Sequence, residues 1–136
     1  VVIAIIGLLA SVVLLALNSA RAKSRDAKRL ADMRQIASAM ELFFNDRSSY
    51  PTTGIVNGAP MTTANMTTAG LVPSYIGSIP DAPQPYDTPG CSSQTENAYK
   101  YSVFNSGASY TIGFCLGAQT GGYSGTPHTL SPAGIQ

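Results

Sequence analysis

Cys91, Cys115, His128 and Asn65 carry most of the reactive potential in this 136-residue chain. The two cysteines stand 24 positions apart with strand-like sequence between them, a spacing suited to a disulfide that closes one loop of a small domain. A chain that leaves the reducing cytosol gains roughly 3 kcal/mol from such a link, so a Cys91–Cys115 bond is expected; the alternative is two buried free thiols. His128 is the only histidine, and the chain contains no Cys-x-x-Cys or His-x-x-x-His spacing, so no metal centre is expected. Phosphate-cradling glycine loops and the nucleophile-elbow pattern are also missing. Any Ser–His or Cys–His pair would depend on His128, in a glycine-rich tail and expected at the surface. Neither enzymatic chemistry nor a cofactor is expected. Asn65-Met66-Thr67 matches the N-glycosylation acceptor pattern, making Asn65 a candidate modification site, and the threonines around it also permit O-linked sugars.

The elements that must position these residues are dominated by the amino-terminal third. Val1 to Leu17 carries no charge, and the next seventeen residues hold six of the eight basic side chains: Arg21, Lys23, Arg25, Lys28, Arg29 and Arg34. The first proline is Pro51, so one helix is expected from Val1 to near Arg47, roughly 70 Å long at 1.5 Å per residue. Residues 52–136 would make a head only about 25–30 Å across, so much of the helix must project. A projecting apolar rod belongs in lipid or among other rods. The stem residues Val1, Val2, Ile3, Ile5, Ile6, Gly7, Leu8, Leu9, Val12, Val13, Leu14, Leu15 and Leu17 are therefore the candidate element for lipid or for a bundle of rods, and the resemblance given below makes them the candidate polymerisation stem. Two units are expected, the stem at 1–20 and the head at 21–136. Position 1 is Val inside an apolar run with no initiator Met, so residues upstream are expected. A secretory signal fits less well, because the cations follow the apolar run and no clear cleavage site separates them.

Charge is unevenly placed. Only 11% of residues are charged, and within 21–34 the six cations against Asp26 and Asp32 leave a net +4. Elsewhere Arg47 and Lys100 face Glu41, Asp46, Asp81, Asp87 and Glu96, a net −3. A basic collar beneath a weakly acidic head suits head-to-collar contacts between copies, or simply a solvated helix face. Two head cations give little grip on nucleic acid, so only weak, salt-sensitive binding is expected.

Leu30, Met33, Ile36, Ala37, Met40, Phe43 and Phe44 recur at spacings of three and four and draw one apolar stripe along the upper helix. Residues 52–70 read as a threonine- and glycine-rich surface loop, 71–75 as a short helical turn, and the proline-rich stretch 79–89 as an extended path. Alternation in 98–105 and 109–116 around Ser106-Gly107-Ala108 predicts an antiparallel hairpin with one buried face. The polar tail from Gly117 is expected to wrap over the head. The fold class is α+β: a long amino-terminal helix on a small antiparallel sheet, with a disulfide-closed carboxy-terminal region.

The run VVIAIIGLLASVVLLALNSARAKSRDAKRLADMRQIASAMELFFND followed by SSYPTT resembles the amino-terminal portion of bacterial type IV pilins and the related pseudopilins of type II secretion. The segment LVPSYIGSIPDAP is similar to the one that precedes their sheet. Mature members begin with an N-methylated Phe and a nearby Glu, neither of which has a counterpart here, so this chain would begin part-way into such a stem. Gly7 falls where those stems often loosen, while the helix-breaking proline of many members is missing. The resemblance implies a major structural subunit, held in the cytoplasmic membrane and then built into an extracellular filament for adhesion, motility or DNA uptake. Its implied partners are identical subunits, a prepilin peptidase, a platform protein and an ATPase. Two alternatives stay open: a major pseudopilin forming a short periplasmic pseudopilus, and a membrane-anchored binding module that does not polymerise. The calcium-binding carboxylates of pseudopilins have no counterpart after Glu96.

Overall fold

The computed structural model describes residues 1–87 and 91–136. Its backbone is one helix, α1 (Val2–Arg47), running 46 residues without interruption. Ser48 ends it in the left-handed region (φ 55°), where its N–H donates to the Phe44 carbonyl at 2.7 Å. Pro51 then keeps the chain from re-entering the helix.

The upper half of α1 buries Leu30, Met33, Ile36, Ala39, Met40 and Phe43, the three-and-four spacing of a single stripe. That stripe lies on a five-stranded antiparallel meander whose spatial order follows the chain. Its strands are β1 (Ala59–Pro60), β2 (Lys100–Phe104), β3 (Ser109–Cys115), β4 (Pro127–Ser131) and β5 (Gly134–Ile135). Register places Tyr101, Ile112, Leu130 and Ile135 in one row across four strands, and these side chains form the inner face of the sheet. Tyr110 and Phe114 flank the row from β3, where buried and half-buried residues alternate. Tyr50 packs edge-on against Tyr110, with ring centroids 4.6 Å apart, and closes the upper end of the core.

The β2–β3 hairpin lies where its alternation places it, but the connection is a short 3₁₀ turn at Asn105–Gly107. Gly107 is required there: its φ is +93°, and an added Cβ would stand 2.9 Å from Ser49 Cβ and 3.1 Å from the Tyr50 carbonyl. The Gly107 carbonyl accepts the Tyr50 N–H at 2.8 Å and so ties the hairpin to the end of α1.

Two expectations are corrected. Residues 52–70 are not purely loop, because they contain β1 and a six-residue helix, α2 (Thr63–Thr68). Thr62 and Asn65 start that helix with a reciprocal capping box, and buried Met66 pins it to the core. The carboxy-terminal tail does not merely wrap: it supplies β4 and β5, with Leu130 buried under the sheet. A four-residue turn of helix, α3 (Gln94–Asn97), leads into β2. Cys91 and Cys115 are bonded, joining the segment before α3 to the end of β3, and both are buried. The expected extended path at 79–89 lies partly outside the described residues; in its described part, 79–87 carries no helix or strand.

Candidate functional site

Nothing in the fold covers the lower half of α1. All twelve large apolar side chains of the stem are exposed, from Leu17 at 42% to essentially complete exposure at Val1. An 18-residue window of this helix is long and apolar enough to cross a membrane, and none of it is buried. At about 1.5–3 kcal/mol per large apolar side chain, covering the stem is worth roughly 20–30 kcal/mol. Set beside the marginal net stability of a typical domain, that gross transfer term makes the uncovered stem a large unfavourable surface in water. Ser11 donates its hydroxyl to the Gly7 carbonyl at 2.9 Å, so this polar group inside the apolar run is satisfied within the helix. A Cβ added at Gly7 would meet nothing within 4 Å, so this side of the stem is open within one chain.

At the base of the head, an ionic clamp fixes the helix to the rest of the molecule. Arg29 is fully buried; its Nη1 donates to Asp26 Oδ1 at 2.7 Å and to Asp87 Oδ2 at 3.0 Å, and its Nη2 to Asn97 Oδ1 at 2.7 Å and the Pro83 carbonyl at 3.2 Å. Its Nε has no hydrogen-bond partner. Arg25 adds a bidentate grip on Asp87 through Nε and Nη2. Buried Asp26 also accepts the N–H groups of Gly117 and Ala118 at 2.9 and 2.8 Å, which draws the chain after β3 onto the helix. One turn higher, Asp32 accepts from Tyr99 Oη at 2.7 Å and Lys28 Nζ at 2.8 Å. The clamp thus connects α1 to the proline-rich segment, α3, Tyr99 just ahead of β2, and the chain after β3.

These contacts set the ionisation of the groups involved. Burial alone would raise the Asp87 pKa, but the hydrogen bonds and charges of Arg25 and Arg29 outweigh it and hold that carboxyl below its ordinary value. Arg25 is raised in turn, chiefly by its hydrogen bond to Asp87. Burial pushes the Tyr99, Tyr101 and Tyr110 phenols upward. Tyr50 rises to about 12, through burial and then its hydrogen bond to Glu41.

The collar is therefore corrected in part. Arg29 belongs to the buried interior and offers nothing to a neighbouring copy. Arg25 and Lys28 spend their charge on Asp87 and Asp32 of their own chain. Much of the expected head-to-collar attraction is thus internal, because the proline-rich segment folds back to the helix. Arg21, Lys23 and Arg34 stay exposed, with no carboxylate partner among the described residues.

Asn65 also acquires a structural role. Its Oδ1 accepts the Thr62 N–H at 2.9 Å and its Nδ2 donates to the Pro60 carbonyl at 2.9 Å, so the nitrogen that a glycan would need is engaged in the folded head. His128 is half-buried rather than fully surface-exposed: its ring packs on Phe114 and Tyr123, and both nitrogens bridge to backbone oxygens of Gln136 and Ser124. Among the described residues no group of three or more His, Cys, Asp or Glu side chains converges.

Sequence reasoning missed the clamp as a unit. The Arg25-Asp26-x-x-Arg29 spacing on one helix face is a visible signal, but Asp87 lies 58 positions beyond Arg29. The observed architecture is a long apolar amino-terminal helix carrying a small disulfide-linked antiparallel sheet, a form compatible with a pilin fold. Comparison with family models, curated proteins and solved structures returns no match.

Proposed function

We propose that this chain is the major structural subunit of a type IV pilus, which waits in the cytoplasmic membrane and assembles through its apolar stem into an extracellular filament. The observation that carries the reading is the wholly uncovered stem from Val1 to Leu17, continuous with a helix locked into the head. In the membrane the stem's partner is lipid; in the filament it is the stems of identical subunits. Exchanging one for the other keeps apolar surface out of water throughout, so extraction by an ATPase-driven platform does not have to expose it. The clamp at Arg25, Asp26, Arg29 and Asp87 gives the load path, since force on the stem reaches the head through buried charge pairs as well as packing.

Shearing the surface of producing cells and imaging the released material by negative-stain electron microscopy tests the proposal, with the subunit identified by intact mass. Long thin filaments containing this chain are expected. Short filaments confined to the periplasm would transfer the reading to a pseudopilus. A membrane-retained monomer with no filament would overturn self-assembly in favour of an anchored binding module.

A further inference from the structure

A groove of about 470 Å³ opens where the stem leaves the head, between Asn18, Arg21, Ala22 and Arg25 of α1 and the Pro85–Asp87 segment. We propose that this groove binds the phosphate of an anionic phospholipid headgroup while the subunit is in the membrane, an inference that rests on the membrane stage of the function proposed above.

Three observations converge on that occupant. The first is depth. The charge-free stem ends at Leu17 and the groove occupies the next two turns, from about 1.5 to 12 Å beyond it. The polar headgroup layer is about 5–8 Å deep on each side of the hydrocarbon core, so a stem seated in the bilayer brings the groove to that layer. The second is charge. Asp87 is matched by Arg25 and Arg29, and Asp26 compensates Arg29. Arg21 is left without a carboxylate, and Nη1 of Arg25 makes no hydrogen bond among the described residues. Two guanidinium groups one turn apart, one with its charge uncompensated and one with a spare donor, match a phosphodiester. The third is the wall opposite the helix. Tyr86 is 37% exposed at the mouth of the groove, and an amphipathic phenol is the side chain favoured at the boundary between lipid and water.

Lys23 provides the internal control. It is a collar cation of the same charge, but it lies two residues from Arg21 on another face of the helix and does not line the groove. The full chain would be reconstituted into nanodiscs of phosphatidylcholine alone or mixed with phosphatidylglycerol. Lipid retained on the protein would be counted by native mass spectrometry, and flotation would report insertion. Insertion into both bilayers is expected, with selective retention of phosphatidylglycerol. Arg21→Gln should lower that selectivity about fivefold, whereas Lys23→Gln should leave it nearly unchanged.

Equal losses in the two variants would mean diffuse attraction to a charged surface and overturn the groove, as would no loss in either. Displacement of the retained lipid by soluble inorganic phosphate would identify a free-anion site and overturn the lipid assignment. These outcomes leave the membrane reading intact, because insertion is scored separately. Failure to float in either bilayer would remove the membrane stage and the groove's role with it.

Discussion

Arg29 shows how much one side chain can decide at a junction between elements. Removing a partner from a buried ion pair leaves its counter-charge without compensation, a loss typically worth 3–5 kcal/mol. Arg29→Met keeps the bulk of the stem but abandons both Asp26 and Asp87, so destabilisation of about 3–5 kcal/mol is expected for the full chain in detergent, read from denaturant midpoints. Gly117 reaches the same clamp by proximity: a Cβ there would lie 2.0 Å from Asp87 Cβ. Gly117→Ala must push Asp87 aside and should cost about 1–3 kcal/mol in the same assay. Titration gives an independent reading. The folded Asp87 carboxyl is depressed, so its contribution is complete above the unfolded value near 4 and is lost as pH falls through the folded one. The raised phenols act in the opposite direction: Tyr50, Tyr99, Tyr101 and Tyr110 favour the fold below about pH 10 and withdraw that support as pH rises through their folded values. A melting-temperature profile should therefore fall below about pH 4 and again above about pH 10. The alkaline fall should coincide with cooperative tyrosinate absorbance, and stepwise ionisation with no loss of structure would contradict this assignment.

Among the elements, α1 and the β2–β3 hairpin were legible because each repeats a periodic pattern long enough to stand out. Leu30 to Phe43 mark one helical face, while Tyr101 and Val103, with Tyr110, Ile112 and Phe114, mark the alternation of two strands. The smaller elements carried no such signal. α2 offers one buried residue, Met66, and a capping box that uses Asn65 where Glu or Gln is the usual cue. In β4 only Leu130 is buried, and the strand exists because β3 presents hydrogen-bonding groups to it. The weight of α2 can be measured: Thr62→Ala removes the cap to the Asn65 N–H and should cost about 1 kcal/mol in thermal unfolding. The Cys91–Cys115 crosslink acts on a larger loop, and replacing both cysteines with serine should lower stability by about 2–5 kcal/mol.

The whole molecule divides its energetics between a head that satisfies itself and a stem that does not. A charge placed in the stem should therefore affect partner choice far more than the fold of the head. Leu14→Arg adds about 3 kcal/mol to insertion at mid-bilayer depth, and the same guanidinium would be buried among stems in a filament. Loss of both membrane flotation and filament formation is expected, with head circular dichroism unchanged. An undiminished yield of filaments from this variant would show that the stem is not the polymerisation element.

The long helix, its apolar stem, the amphipathic stripe and the hairpin were determined by the sequence alone, and the count of two cysteines allowed only one intrachain pair, whose bonding the structure supplies. Each depends on local periodicity or on a count, and both survive in one dimension. The tertiary structure decided which collar cations face solvent. Arg21 and Arg29 are the same residue type eight positions apart, yet one lines an open groove and the other is buried between two carboxylates. The difference comes from Asp87, brought against the helix by the return of the proline-rich segment, and electrostatic pairing depends on distance in space rather than separation along the chain.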